Sequence, residues 1–296
     1  MYRTVLVPLD GSSLSERAVA YGEMLAHAAD AHLVLLRVIP PPEFLDSANL
    51  AARDKAMSDA TEYLSQFVVQ AAGEPAIDTL AYSGEPTSII VEEARARPLS
   101  VIVLSTHGRN GVSELVSGSV ARDVLRHSQS AVMFIPPNCT GSWSSEHPGR
   151  VLVTLDGSKA SEAILPNALD VAQALRVEMI LMRVVAVTSY IRVEGYPDPV
   201  GVPTEGISAT EAGTYLDEVA DEVRQEGQKV TTLVPEGLDP ASAILLAAQD
   251  QEAALIAIAT HGRSGLPEVI LGSVASSVIK QATVPVLLIR PSLVGN

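Results

Sequence analysis

The residues best suited to bind a ligand form three short motifs, and each motif occurs twice. The repeated motifs are Asp-Gly-Ser at 10–12 and 156–158, Thr-His-Gly-Arg at 106–109 and 260–263, and Gly-Ser at 118–119 and 272–273. Because they recur in the same order with nearly the same spacing, the 296-residue chain is one module duplicated.

Within each copy these residue types suit a ligand that carries both phosphate and hydroxyl groups. Gly108 allows the backbone to turn and to approach a ligand closely. Gly118 and Ser119 place backbone N–H groups and a hydroxyl at the start of a helix, where an anion is stabilised. The carboxylate of Asp10 would face hydroxyl or amine groups of the ligand. The pattern therefore predicts one phosphate-binding site in each half.

Simpler structural roles are open for the same residues. A Gly-Ser pair before a helix is commonly only an N-cap, and an aspartate after a strand is commonly a turn residue. His107 and His261 are either loop residues beside the ligand or acid–base catalysts. Arg109 and Arg263 contact either phosphate or solvent. The repetition of the whole set favours a binding site over independent turns and caps.

Short apolar runs alternating with helical patterns position these motifs. The strands are predicted at 5–9, 33–39, 77–82, 101–105 and 132–135, and again at 151–155, 178–185, 230–235, 255–260 and 286–289. Ser13 and Glu16 fit a capping box at the start of the first helix. The alternation predicts an α/β fold with two doubly wound, Rossmann-like sheets of five parallel strands each. Asp10 and Ser105 would then end the first and fourth strands, which flank a switch point in strand order.

The spacing also predicts the domain organisation. We expect a first domain at 1–137, a linker at 138–148 and a second domain at 149–296. The second copy is longer mainly between Ala186 and Gly213, which we interpret as a surface loop over the second site. The last strand of each half is apolar and would leave an exposed sheet edge, so we expect the halves to pair there as an intramolecular pseudo-dimer. A homodimer of the tandem chain stays open.

Composition excludes several classes of function. A net charge of −15 disfavours nucleic-acid binding. The single cysteine, Cys139, permits no internal disulfide, and no apolar run approaches the ~18 residues of a membrane span. We therefore expect a cytoplasmic protein without membrane contact. No metal-ligand motif, Walker phosphate loop or Gly-x-Ser-x-Gly elbow is present, so the metal and catalytic sites of those classes are not predicted.

The repeated motifs also resemble those of the universal stress protein family, in its adenine-nucleotide-binding branch. That pattern is Gly-x-x-Gly, nine residues, then Gly-Ser or Gly-Thr. The chain has it at 105–119 and at 259–273, with Ser105 and Ala259 in place of the first glycine. Both residues are small, although a positive φ at either would cost about 1 kcal/mol or more. The resemblance covers nearly the whole chain and implies the adenine nucleotide alpha hydrolase-like version of the fold.

The resemblance implies a nucleotide site in each half. Asp10 and Asp156 would contact the adenosine, the backbone at Val38 and Val184 would meet the adenine edge, and the glycine motifs would hold ribose and phosphates. The implied nucleotide-binding residues are Pro8, Leu9, Asp10, Val38, Ser105, His107, Gly108, Arg109, Gly118, Ser119 and Val120 in the first half, and Thr154, Leu155, Asp156, Val184, Ala259, His261, Gly262, Arg263, Gly272, Ser273 and Val274 in the second.

The implied ligand is ATP or AMP, with Mg²⁺ only alongside ATP, and the implied role is a stress-response module that acts on an unknown protein partner. Two other hypotheses stay open. One is a slow ATPase or nucleotide transferase assisted by His107 or His261. The other is an interaction protein with vestigial nucleotide sites.

Overall fold

The first half of the chain alternates strands and helices, as its sequence pattern predicts. The computed structural model describes residues 1–41, 47–70, 76–106, 119–139, 143, 149–191, 200–203, 207–237, 239–260 and 271–291. The strands of the first half are β1 (Thr4–Pro8), β2 (His32–Ile39), β3 (Ile77–Ser83), β4 (Ser100–Ser105) and β5 (Ala131–Ile135). Its helices are α1 (Ser13–Ala29), α2 (Ser47–Gln70), α3 (Pro86–Ala96) and α4 (Ser119–His127).

The second half repeats this order and adds short strands. Its strands are β6 (Arg150–Thr154), β7 (Glu178–Met182), β8 (Val185–Ile191), β9 (Val200–Pro203), β10 (Val230–Leu233), β11 (Glu236–Gly237), β12 (Ala253–Ala259) and β13 (Val286–Ile289). Its helices are α5 (Lys159–Glu162), α6 (Leu165–Leu175), α7 (Ala209–Gln225), α8 (Pro240–Asp250) and α9 (Ser273–Gln281). Together α5 and α6 occupy the place that α1 has in the first half.

The main strands form one ten-stranded sheet in the order β10-β7-β6-β12-β13-β5-β4-β1-β2-β3. In this sheet, all strand pairs that lie within one half are parallel. Five parallel strands per half, in doubly wound order, confirm the predicted fold class. The three strands at the centre of the sheet, β12, β13 and β5, are apolar throughout because both faces of the sheet are covered; every residue of β5, for example, is buried.

The two halves join through their last strands, as the apolar sheet edges predicted. β13 pairs with β5 in antiparallel orientation, with Leu287 opposite Met133 and Leu288 opposite Val132. All four side chains are fully buried. The pairing removes both exposed edges and makes the hydrophobic core on each face of the sheet continuous between the halves. The exact domain boundaries stay a prediction.

Residues between the halves add further contacts. The hydroxyl of Tyr2 donates to Oδ1 of Asn167 at 2.9 Å. The indole Nε1 of Trp143 donates to the carbonyl of Ala254 at 2.8 Å, and its ring meets Tyr21 edge-to-face at a centroid distance of 5.4 Å. Cys139 is buried with its Sγ 3.0 Å from the Tyr21 hydroxyl, and this burial raises the pKa of the thiol. The described linker residues Cys139 and Trp143 are therefore packed, between them, against both halves.

Helix α1 is capped by a different serine from the one predicted. The N-cap is Ser12, whose Oγ accepts from the backbone N–H of Ser15 at 3.1 Å. The predicted capping box of Ser13 and Glu16 is wrong: Ser13 is an exposed first-turn residue, and the carboxylate of Glu16 binds a tyrosine on α2 instead. The helix starts one residue earlier than expected because the carboxylate of Asp10 accepts from the N–H of Ser12 and fixes the turn before it.

Replacing Ser12 with alanine should therefore destabilise the protein more than replacing Ser13. We expect Ser12→Ala to lower the free energy of unfolding by about 1 kcal/mol, because it removes a side-chain cap, and Ser13→Ala by less than about 0.5 kcal/mol. Urea unfolding followed by circular dichroism measures both. Equal losses in the two variants would contradict the assignment of Ser12 as the cap.

The second half departs from the predicted elements after its second strand. We expected one strand over 178–185, but β7 ends at Met182 and β8 begins a separate three-stranded sheet with β9 and β11. The expectation that the stretch from Ala186 to Gly213 forms a loop is wrong in part, because most of β8 and all of β9 lie within it. Within the described part of the chain, no helix combines the length and apolar character needed to cross a membrane.

Candidate functional site

Asp10 and Asp156, two of the predicted site residues, lie beside the two switch points of the sheet. In the first half β1 lies between β2 and β4, so the strand order reverses between β1 and β4. Asp10 follows the end of β1, and the buried Thr106 follows the end of β4. In the second half the reversal is between β6 and β12, with Asp156 and Thr260 in the equivalent places. A crevice at such a position is where doubly wound sheets bind ligands.

The Asp-Gly-Ser turns of the two halves have nearly identical geometry. Oδ1 of Asp10 accepts from the N–H and the hydroxyl of Ser12 at 2.9 and 2.6 Å. Oδ1 of Asp156 accepts from the same groups of Ser158 at 2.9 and 2.6 Å. The buried Ser15 hydroxyl closes the first turn by accepting from the Asp10 N–H at 3.3 Å. Each aspartate is thus held rigidly at a strand end, as the simpler turn role also predicts.

The backbone of Val38 faces this crevice. Leu36 accepts at its carbonyl from the N–H of Leu9, while Ile39 accepts from Gly84 on the opposite side of β2. Because successive residues of a strand direct their polar groups to alternate neighbours, Val38 directs its N–H and C=O to the same side as Leu36, beyond the end of β1.

Val184 has the same orientation in the second half. Met182 accepts from Leu155, whereas Arg183 and Val185 donate toward the β10 side, to Leu233 and Pro235. The Val184 backbone therefore faces the β6 side, past the point where β6 ends. In both halves, backbone polar groups at the end of the second strand are therefore directed past an aspartate turn.

A helix N-terminus completes the second crevice. The N-cap of α9 is Gly272, which makes no side-chain capping hydrogen bond. Its N–H donates to the carbonyl of Thr260 at 2.9 Å, and a Cβ at this glycine would lie 3.2 Å from that carbonyl oxygen. The glycine thereby brings the start of α9 against the end of β12. Ser273 is exposed and Val274 is half-buried at this start.

The other predicted residues divide into those placed at the crevice and those outside the described residues. Pro8 and Thr154 end β1 and β6, Leu9 and Leu155 follow them, Ser105 and Ala259 end β4 and β12, and Ser119 and Val120 begin α4. Neither Ser105 nor Ala259 has a positive φ, so replacing the first glycine of the pattern carries no such strain here. The predictions that lie outside the described residues concern His107, Gly108, Arg109, Gly118, His261, Gly262 and Arg263.

Sequence reasoning missed a group of side chains behind each aspartate turn. The Arg37 guanidinium lies 4.4 Å above the ring of Tyr63, whose hydroxyl donates to Oε1 of Glu16 at 3.0 Å. Burial and the bond to Glu16 raise the pKa of Tyr63, which keeps the phenol protonated as a donor.

The second half repeats this group. The Arg183 guanidinium lies 4.7 Å above the ring of Tyr215, whose hydroxyl donates to Oε1 of Glu162 at 3.1 Å. Burial and the nearby Glu162 charge raise the pKa of Tyr215. A sequence signal did exist, because Tyr63-Leu64 returns as Tyr215-Leu216.

Among the described residues, neither a metal-ligand cluster nor a histidine forms part of the candidate site. No group of three His, Cys, Asp or Glu side chains there could hold a metal ion. His27, His32 and His127 are exposed, as expected of histidines without a repeated partner.

Comparison with known proteins identifies the family. The model of the universal stress protein family matches residues 1–136 and 148–290, so the chain belongs to that family. A universal stress protein from Mycolicibacterium smegmatis is 26% identical over 97% of both chains. One from Methanocaldococcus jannaschii is 31% identical over 48% of this chain and 81% of its own. The crystal structure of a universal stress protein from Archaeoglobus fulgidus matches with a TM-score of 0.67 and 21% identity, over 98% of this chain and 97% of its own.

Proposed function

We propose that each half binds one adenine nucleotide, ATP or AMP, in its switch-point crevice, and that occupancy regulates how this universal stress protein acts under stress. Asp10 and Asp156 would accept from the ribose hydroxyls, and the Val38 and Val184 backbones would bond to the adenine edge. The first turns of α4 and α9 would hold the phosphates. Mg²⁺ would accompany ATP alone.

One observation carries the proposal: three groups of different chemistry lie together at the second switch point, and two of them recur at the first. A fixed carboxylate, a strand edge that directs one donor and one acceptor past the end of β6, and a helix start brought close by Gly272 lie around the second crevice. Hydroxyls, a purine edge and phosphate are the complementary groups, and an adenine nucleotide contains all of them. The first half has the same aspartate turn and strand edge, with Ser119 as the first residue of α4.

Nucleotide carried by the purified protein is the direct test. Denaturing the protein and identifying released small molecules by mass spectrometry should give about two adenine nucleotides per chain, because each repeat has its own crevice. If none is released, added ATP with Mg²⁺ or added AMP should bind with the same stoichiometry in calorimetry. A chain that neither carries nor binds nucleotide would contradict the proposal and favour vestigial sites.

Removing one aspartate should weaken nucleotide binding at one site and leave the other unchanged. Asp10→Ala or Asp156→Ala should weaken binding at its own site by about 10- to 100-fold, since hydrogen bonds to a charged acceptor contribute about 1.5–3 kcal/mol. Calorimetry should then detect about one tight site per chain. The matched controls are Asp54→Ala and Asp221→Ala, at side chains 71% and 72% exposed, and both should retain two sites.

A further inference from the structure

The arginine, tyrosine and glutamate behind each aspartate turn come from three separate elements in each half. Arg37 lies near the end of β2, Tyr63 on α2 and Glu16 on α1. In the second half Arg183 follows β7, Tyr215 lies on α7 and Glu162 on α5. The stretch between arginine and tyrosine is longer in the second half, yet the ring contacts are 4.4 and 4.7 Å and the hydroxyl bonds are 3.0 and 3.1 Å. The geometry is kept although the connecting chain differs.

Each guanidinium also supports the glycine of its aspartate turn. A Cβ at Gly11 would lie 2.6 Å from Nη1 of Arg37, and one at Gly157 would lie 2.5 Å from Nη2 of Arg183. Both glycines have positive φ, of 81° and 88°. Each turn therefore requires glycine at this position, because the guanidinium occupies the space that a side chain would need.

The charges around each tyrosine connect this group to the aspartate. Glu16 and Asp10 both act to raise the pKa of Tyr63, and Arg37 acts to lower it. Glu162, Asp156 and Arg183 have the corresponding effects on Tyr215 in the second half. The aspartate, the arginine and the glutamate thus lie within electrostatic range of one phenol, at the side of the turn away from the strand ends of β4 and β12.

We propose that Arg37 and Arg183 are positioning residues for the nucleoside end of the two sites. Each guanidinium is held on its outer side by the Tyr–Glu pair and supports the Asp-Gly-Ser turn on its inner side. It thereby fixes the orientation in which the aspartate carboxylate meets the ligand's hydroxyls. This inference rests on the proposed function and adds to it the means by which the outer helices α2 and α7 determine nucleoside affinity.

The test compares adenosine with ATP, because a residue that orients the nucleoside end must affect both. In the full chain carrying Arg37→Gln and Arg183→Gln, calorimetry should show affinities for adenosine and for ATP with Mg²⁺ reduced by the same factor, about 10-fold. The control is Arg95→Gln, an exposed arginine in the last turn of α3, which should leave both affinities unchanged. A loss for ATP alone would place the guanidinium at the phosphates and overturn the proposal.

A double-mutant cycle separates positioning from general destabilisation. If the arginines act through the aspartates, adding Arg37→Gln and Arg183→Gln to Asp10→Asn and Asp156→Asn should weaken adenosine binding by less than about 2-fold more. Fully additive losses would indicate a structural role only and overturn the proposal. If the glutamine variant does not fold, the variant Arg37→Lys with Arg183→Lys replaces it in the test. Lysine keeps the charge without the planar guanidinium, so both affinities should fall by about 3-fold.

Failure of the proposed function gives a different result from failure of this inference. Wild-type protein that binds neither adenosine nor ATP overturns both. Wild-type protein that binds both, with unchanged affinities in the glutamine and lysine variants, overturns only the positioning role.

Discussion

Replacing Leu287 with aspartate is expected to destabilise the protein severely. Leu287 is fully buried at the junction of the halves, opposite Met133 on β5. A carboxylate there would have no charged partner in the described core cluster, which is entirely hydrophobic. An unpaired buried charge costs about 3–5 kcal/mol or more, against a total stability of about 5–15 kcal/mol for a typical domain. Soluble yield and urea unfolding measure the loss.

Two further substitutions test whether the loss of stability depends on the junction between the halves or would follow from replacing any leucine. Leu287→Ala should lower the free energy of unfolding by about 2–5 kcal/mol, since it leaves a cavity but no charge. Leu246→Asp, at a side chain of α8 that is 59% exposed, should change it by less than about 0.5 kcal/mol. Because the hydrophobic core is continuous across the junction, we expect both halves to unfold in one transition. A Leu287→Asp protein that unfolds at the wild-type urea concentration would show that each half is stable without the other.

The strands were predictable because a buried strand can be recognised from its own residues. A strand covered on both faces is an unbroken apolar run, and all ten predicted runs overlap a strand of the main sheet. The pairing of the halves followed from the same property, since β5 and β13 would otherwise expose apolar edges. The departure occurs after Met182, where β7 ends although the predicted run continues to Val185. There the chain enters the three-stranded sheet, whose partner β9 lies within the stretch taken as a loop.

The candidate site was predictable only as far as it lies on strand ends and helix starts. Asp10 and Gly272 are adjacent to the runs that define their elements, so their places follow from the elements. Tyr63 contacts Glu16 and Arg37 because α2 packs beside the sheet. This tertiary packing cannot be predicted from a local sequence pattern. The misassigned capping box shows the same limit: Glu16 has the right spacing from Ser13, but its carboxylate is engaged by a residue from another helix.

Alanine at Gly157 is expected to have the second large effect, on stability and on one nucleotide site together. Gly157 has a φ of +88°, and a Cβ there would lie 2.5 Å from Nη2 and 2.6 Å from Cζ of Arg183. Arg183 is buried and packed over Tyr215, so it cannot move away freely. We expect a loss of about 2–4 kcal/mol in unfolding free energy, combining left-handed strain with overpacking. We also expect nucleotide to be lost from the second site alone, reducing the stoichiometry from about two to about one per chain.

Gly227 provides the matched control for the backbone term. Its φ is +79°, and a Cβ there would have nothing within 4 Å. Gly227→Ala should therefore show only the left-handed strain, about 1 kcal/mol, and retain both nucleotides. Because the φ angles of the two glycines nearly match, the difference in unfolding free energy between Gly157→Ala and Gly227→Ala measures the cost of the contact between the turn and the guanidinium. If Gly157→Ala lost no more than Gly227→Ala in both stability and stoichiometry, Arg183 would yield to the added methyl group without cost. The turn would then hold Asp156 through its own hydrogen bonds to Ser158 alone.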